Sequence, residues 1–302
     1  SFPVQWNGTV KAMLNYQEPP PEGKRTGRYI NCPDEGELVD EHIPTCVDMQ
    51  DGRKLQPAAS LSCEGFCLAT NFVTSLSQSD FTEKPERVKS VYYKEIRDLV
   101  KAQTGASKVF VFDSTLRNSQ EATSLNATGT TKKAAPVLRV HCDYTETGAP
   151  RRFVQLASDD DFRTTNEPES FPTKAEAEAI VNDKDGQRYA FINIWKSIDV
   201  QNSVLERPLA VCDARSVSDE DRFLYELHFP HRVGENYSLN HTTNSKHKWY
   251  TFNKMSSNEC LIFKVYDRVE PKFVFHSAWN DPRGGFSSPP RQSIEVRTVA
   301  LF

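Results

Sequence analysis

From residue 137 onward the chain reads as one strand after another. "VLRVHCDYT", "RYAFINIWKSI", "PLAVCDARS", "LYELHF", "KWYTFNKM", "ECLIFKVYD", "KFVFHSAWN" and "SIEVRTVALF" are rich in β-branched and aromatic residues, with turn-type residues between them. Helical sequence is gathered ahead of this run. That order predicts a mainly β protein with flanking helices, an antiparallel sandwich closed as a double-stranded β-helix, the jelly roll of cupin-like proteins. Such a fold has an open mouth where ligands can converge.

Upstream, "EKPERVKSVYYKEIRDLVKAQTG" repeats apolar residues at helical spacing through Val88, Val91, Tyr92, Ile96 and Leu99, and predicts a helix over 83–105 with Gly105 as its C-cap. "KVFVFDST" continues the chain as a buried strand. A second helix is predicted over 173–183, with Thr173 as N-cap. Residues 1–45 are polar and rich in Pro and Gly, and read as an irregular lead-in to a single domain over 46–302, with short strand candidates such as "TVKAML" at 9–14 and "TCVDMQDG" at 45–52. The charged interval 145–188 reads as an insertion able to cover the mouth, and "RVGENYSL" at 232–239 as a connecting turn.

Composition excludes several classes. Lys and Arg number 37 against 41 Asp and Glu, for a net charge of −4, and basic runs are short, so no nucleic-acid partner is expected. No apolar run is long enough for a transmembrane helix, and no signal peptide opens the chain. The seven cysteines are odd in number and scattered, which argues against a disulfide framework. Cys63 and Cys67 form a C-x3-C with no second pair to complete a zinc site. Sequons at Asn7, Asn126, Asn236 and Asn240 are then coincidental, and a soluble cytoplasmic protein is expected. Exposed strands would permit a homodimer without requiring one.

His141 and Asp143 stand two apart in "LRVHCDYTE". A His-x-Asp pair alone is expected about once by chance in a chain of this composition. It gains meaning from residues farther along the chain. Non-haem Fe(II) sites use two histidines and one carboxylate, leaving three positions open. In a jelly roll the second histidine comes from a late strand, and His276 in "FVFHSAWNDP" fits, facing opposite to Phe273 and Phe275. A 2-oxoglutarate enzyme also needs a cation for the far carboxylate. Arg291 and Ser293 form an Arg-x-Ser pair on one strand face, with Arg297 in reserve on the same face. His247 is the main competitor for second ligand, but lacks an Arg-x-Ser behind it. His228, His231 and His241 read as ordinary histidines, and Arg291 has the alternative of a structural ion pair.

Taken together, "HCDYT", "FINIWKSI", "RPLAVCDARSV", "KWYTFNKMSSNECLIFKVYD" and "PPRQSIEVR" resemble the fungal gibberellin-desaturase-like proteins. That group also holds relatives of a cephamycin-cluster protein, among the hydroxylases and desaturases of fungal secondary metabolism. "SCEGFCL" and "VYYKEIRDLVKAQTGASKVFVFDSTLR" extend the resemblance over roughly residues 45–302. It implies Fe(II), 2-oxoglutarate and O2, with His141, Asp143 and His276 as iron ligands and Arg291 with Ser293 as the co-substrate clamp. The family pattern usually has His where this chain has Ser114, while Asp113 and Arg117 match. Arg117 is a candidate anchor for a substrate or co-substrate carboxylate, with an ion pair to an acidic neighbour as the alternative.

The implied activity is oxidation of a substrate C–H bond with release of succinate and CO2, ending in hydroxylation, desaturation or ring closure such as aziridine formation. A small-molecule substrate is implied with it: an amino acid, an alkaloid or a terpenoid acid. Asn193, alternating with Phe191 and Trp195, is a candidate donor to a ligand carboxylate, and Tyr144, Lys264 and Tyr266 are further pocket candidates. Two other classes stay open: a jelly-roll binding protein without redox chemistry, and a cupin-like zinc or manganese hydrolase or isomerase.

Overall fold

The computed structural model describes residues 8–33, 35–119, 133–159, 162, 170–183, 185–284 and 288–302. Its strands are β1 (Thr9–Gln17), β2 (Arg25–Tyr29), β3 (Leu38–Val39), β4 (His42–Asp51), β5 (Phe66–Ala69), β6 (Lys108–Asn118), β7 (Lys133–Ala134) and β8 (Tyr189–Ser197). The remainder are β9 (Leu209–Cys212), β10 (Arg222–Phe229), β11 (Arg232–Leu239), β12 (Trp249–Thr251), β13 (Cys260–Asp267), β14 (His276–Ala278) and β15 (Gln292–Leu301).

Six strands in the order β5-β13-β8-β15-β6-β7 form the larger sheet. Opposite it lie the sheets β1-β4-β12-β9-β14 and β11-β10-β2-β3. The segment carrying His141 joins these two smaller sheets. His141 and His276 exchange both backbone hydrogen bonds across to β14, and Cys142 does the same with Tyr237 of β11. This is the double-stranded β-helix predicted from the strand run.

Period-two alternation divides the larger sheet into two faces. On β8, Phe191 and Trp195 point into the main core between the layers, while Ala190, Ile192 and Ile194 point to a second core under the helices. That second core receives Ile96 and Val100 from the helix Tyr93–Thr104. Burying a side chain of this size contributes about 1.5–3 kcal/mol. The helix stops at Gly105, whose φ of 72° is the left-handed C-cap conformation.

Three expectations need correction. The helix predicted over 83–105 is interrupted: one helix, Gln78–Glu83, is capped by Ser77 and Asp80, and a new start at Pro85 leads through a wide turn at Val88–Tyr92 into Tyr93–Thr104. Proline has no N–H to continue the preceding helix. The segment 232–239 is strand β11, paired residue for residue with β10 from Arg222–Leu239 to Phe229–Arg232. Its glycine and polar residues read as a turn, but the turn is at Pro230 and His231.

The stretch expected as an irregular lead-in holds β1, β2, β3 and the start of β4. β1 and β4 pair antiparallel from Thr9–Gln50 to Gln17–His42, and Ala12, Leu14 and Tyr16 enter the main core. β1 is the strand candidate "TVKAML", extended by three residues to Gln17, and β4 contains most of "TCVDMQDG". The Tyr16 hydroxyl accepts a 2.7 Å hydrogen bond from the Trp249 indole N–H and lies 3.0 Å from His247 Nδ1. Tyr16→Phe leaves that buried N–H without its partner, and the expected loss is about 1–3 kcal/mol, read as a lower urea midpoint with an unchanged slope.

The helix Lys174–Asn182 begins at Thr173, whose side chain caps the Glu176 N–H while Glu176 returns the bond. The interval 145–188 also contains the helix Gly148–Ala157; residues 160–161, 163–169 and 184 of that interval lie outside the described residues. So do the sequons at Asn7 and Asn126. All seven cysteines are unpaired. No described helix is long and apolar enough to cross a membrane.

Candidate active site

Backbone pairing of His141 with His276 brings two segments far apart in sequence into direct register. Their imidazole centroids are 4.4 Å apart, and Asp143, two residues on from His141, reaches the same point. Asp143 Oδ1 lies 3.5 Å from His141 Nε2 and 3.8 Å from His276 Nε2. One ligand atom from each residue falls within 4.8 Å of the others, and all three side chains are buried or nearly so. Among the described residues this is the one such cluster of His, Cys, Asp and Glu, so Cys63 and Cys67 take part in none.

The protonation states suit a cation. His141 Nδ1 is 2.7 Å from the Arg139 carbonyl, and His276 Nδ1 is 3.3 Å from that of Val274. A carbonyl only accepts, so each Nδ1 carries the hydrogen and each Nε2 presents a lone pair. Burial, with His276 alongside, holds the His141 imidazole down at about 4, so it stays neutral. Burial alone would raise the Asp143 carboxyl; His141, Arg297 and His276 outweigh it and keep the group well below the ordinary carboxylate range.

Asp143 is itself held from behind. Its Oδ2 accepts from Asn193 Nδ2 at 2.8 Å and from Arg297 Nε at 3.4 Å, leaving Oδ1 toward the histidines. Asn193 Nδ2 also donates to Glu295 Oε1 at 2.9 Å. Both hydrogens of that amide are thus committed, and Asn193 orients Asp143 where the sequence suggested a donor to a cofactor carboxylate. Such outer partners typically change metal affinity about 10- to 100-fold. Asn193→Ala is therefore expected to weaken ferrous binding by that factor, measured by competition with a chromogenic chelator.

The remaining sequence candidates divide clearly. Arg297 is fully engaged, 3.0 Å from Asp113, 3.0 Å from the Thr115 hydroxyl and 3.6 Å from Glu295. Arg117 takes the ion-pair alternative, 3.6 Å from Glu295, and donates to the Ala135 carbonyl at 2.7 Å. Ser114 meets the Tyr93 hydroxyl at 2.9 Å. His247 sits away from the cluster with Tyr16 and Asp221. Lys264 is paired with Asp267 at 2.9 Å, and Tyr266 packs between Tyr189 and Phe273.

Arg291 differs from all of these. It is only 4% exposed, its Nε donates to Ser293 Oγ at 3.0 Å, Nη1 donates to the Arg207 carbonyl, and the guanidinium stacks 5.0 Å over Trp195. No carboxylate among the described residues lies within ion-pair distance of it. Burial, reinforced by nearby Arg117, pulls its pKa down to about 9. Glu295 and Glu206, the latter accepting from the Arg291 backbone N–H at 3.0 Å, offset that only in part, and a buried guanidinium in no direct ion pair is suited to an incoming anion. Arg291 and Ser293 share the inner face of β15 with Glu295 and Arg297, the row that ends beside Asp143. Glu295 is the site residue that motif reasoning missed, although the same alternation that linked Arg291 to Ser293 would have found it.

The mixed nitrogen and oxygen donors on one side of a mouth, and a lone buried arginine on the adjoining sheet, define a class: mononuclear non-haem iron oxygenases that take 2-oxoglutarate. Comparison with known proteins agrees. The family described as "Oxidoreductase/YMDC permease-like domain" matches residues 14–301, and the chain belongs to it. It is 29% identical to the hydroxylase/desaturase efuI of Hormonema carpetanum, over 85% of this chain and 83% of that one. It is 27% identical to the alpha-ketoglutarate-dependent dioxygenase phiK of a fungal species, over 98% and 97%. Among solved structures, a variant of the iron and alpha-ketoglutarate-dependent endoperoxidase NvfI superimposes with a TM-score of 0.78 over 99% of both chains at 21% identity, which establishes the shared fold.

Proposed function

We propose that the protein is an Fe(II)/2-oxoglutarate-dependent dioxygenase of fungal secondary metabolism, acting on a C–H bond of a small molecule, with His141, Asp143 and His276 as iron ligands. The observation that carries this reading is the pairing of an open His-Asp-His cluster with Arg291, a buried cation in no direct ion pair. A binding module has no need of both. A redox-silent hydrolase needs no anion clamp on the adjoining sheet.

Iron and 2-oxoglutarate, when bound, supply oxidative decarboxylation to succinate and CO2 together with the oxidant for the substrate. The chain's own residues prepare that chemistry. The Arg139 and Val274 carbonyls fix the imidazole tautomers, and Asn193 with Arg297 aims one oxygen of Asp143 forward. Arg291 and Ser293 would receive the distal carboxylate through charge-assisted hydrogen bonds. Phe263, 4.8 Å from the His276 ring, closes the apolar side of the centre. Holding the target carbon in place is the protein's remaining task, and its precision decides between hydroxylation, desaturation and ring closure.

The finer placing beside the gibberellin-desaturase-like and cephamycin-cluster proteins rests on the shared motifs alone. The unpaired cysteines support a reducing, cytoplasmic setting. Succinate formation that requires both Fe(II) and 2-oxoglutarate, and that Zn(II) does not sustain, is the expected result. Turnover with Zn(II) and no co-substrate would instead establish the hydrolase class.

A further inference from the structure

A cavity of about 330 Å³ opens beside Asp143 and Tyr144, between the helix Gly148–Ala157 and the hairpin β10–β11. Its walls carry Phe112, Leu227 and Phe229, and a set of charges that does not balance. Four arginines (Arg151, Arg152, Arg232 and Arg297) face three carboxylates (Asp113, Asp143 and Glu235).

Every carboxylate is already satisfied. Asp143 is held by Asn193 and Arg297, and Asp113 by Arg297. Glu235 takes Arg151 at 2.9 Å and the hydroxyls of Thr145 and Thr147 at 2.9 and 2.7 Å. Arg152 and Arg232 remain. Neither forms an ion pair among the described residues; Arg152 lies 5.6 Å over the Phe112 ring and Arg232 lies 4.3 Å over that of Phe229. Two aromatic-backed guanidinium groups at the wall of a partly apolar cavity are suited to a planar anion.

We propose that Arg152 and Arg232 bind a carboxylate of the primary substrate, so that the enzyme acts on an organic acid whose apolar body lies along Phe112, Leu227 and Phe229 toward Asp143. This rests on the oxygenase reading of the same site. It also separates two anion positions. Arg297 lines this cavity and Arg291 does not, so the co-substrate clamp and the substrate carboxylate occupy different places on the inner face.

The test uses the full chain loaded anaerobically with Fe(II) and 2-oxoglutarate, and a series of straight-chain carboxylic acids of about six to twelve carbons, a range chosen to suit the cavity. Each acid is titrated against its own primary amide by calorimetry. The best acid is expected to bind about 10- to 100-fold more tightly than its amide, a preference that shrinks as salt is raised. Arg152→Gln/Arg232→Gln is expected to remove the preference while leaving the amide and 2-oxoglutarate titrations unchanged. Acids that bind no better than amides, or a preference that survives the double variant, would overturn the proposal. So would a double variant that loses 2-oxoglutarate affinity, since the arginines would then serve the co-substrate. Failure of the oxygenase reading shows separately, as wild-type protein that does not bind 2-oxoglutarate at all.

Discussion

His276→Ala protein is expected to purify folded, to hold no stoichiometric Fe(II), and to form succinate roughly a thousandfold more slowly than wild type or worse. The reasoning starts from the backbone. His276 contributes its N–H and carbonyl to the pairing with His141, and alanine keeps both. Lost contacts with the Phe263 and His141 rings should cost about 1–3 kcal/mol, within the range of an ordinary core substitution. What disappears is one of the three proposed metal donors. Changes to an outer partner already cost about 10- to 100-fold, so removal of a direct donor should exceed that. Metal content by atomic emission, with circular dichroism as the control for folding, checks both halves. A variant that retains iron and turnover would move the second ligand elsewhere, with His247 excluded by its place beside Tyr16.

Arg291→Ala should act differently. Its half-saturating 2-oxoglutarate concentration is expected to rise about 10- to 100-fold, the worth of a charge-assisted contact, while iron affinity stays the same. Arg291→Lys should recover only part of this, because a point charge cannot replace the planar fork that reaches Ser293 and a carboxylate together. The Arg291→Ala substitution should also cost the ligand-free protein about 1–3 kcal/mol, because the hydrogen bonds to Ser293 and the Arg207 carbonyl and the packing on Trp195 are lost. Co-substrate titration and thermal unfolding of ligand-free protein read the two effects separately. An Arg291→Ala variant that unfolds early and keeps its 2-oxoglutarate affinity would make Arg291 a structural residue.

Much of the candidate site was legible in the sequence because chain order carries it. A His-x-Asp before a run of strands, a histidine inside a late strand and an Arg-x-Ser on the last strand are local signals, each readable from a few residues. The fold class comes from the same run. Less legible were features whose partners lie far apart. Asn193 is visibly inward-facing, yet nothing near it shows that Asp143, fifty positions earlier, takes its amide hydrogen. Arg117 and Arg297 look as available as Arg291 until Glu295 and Asp113 are found beside them. β1 was legible in "TVKAML", but its pairing with β4 was not, and β11 was hidden by a Gly-Glu-Asn run that its pairing with β10 holds extended. Arg152 and Arg232 gained meaning only when the helix Gly148–Ala157 and that hairpin closed around one cavity.

The most direct test of the central claim is an anaerobic titration of the Fe(II)-loaded protein with 2-oxoglutarate, followed in the visible spectrum. A 2-oxo acid chelated to ferrous iron gives a weak charge-transfer band, which neither partner gives alone. The account predicts a band that saturates at one equivalent per chain, is absent in His276→Ala and needs more co-substrate to appear in Arg291→Ala. Iron bound at His141, Asp143 and His276 with no band at any 2-oxoglutarate concentration would contradict it.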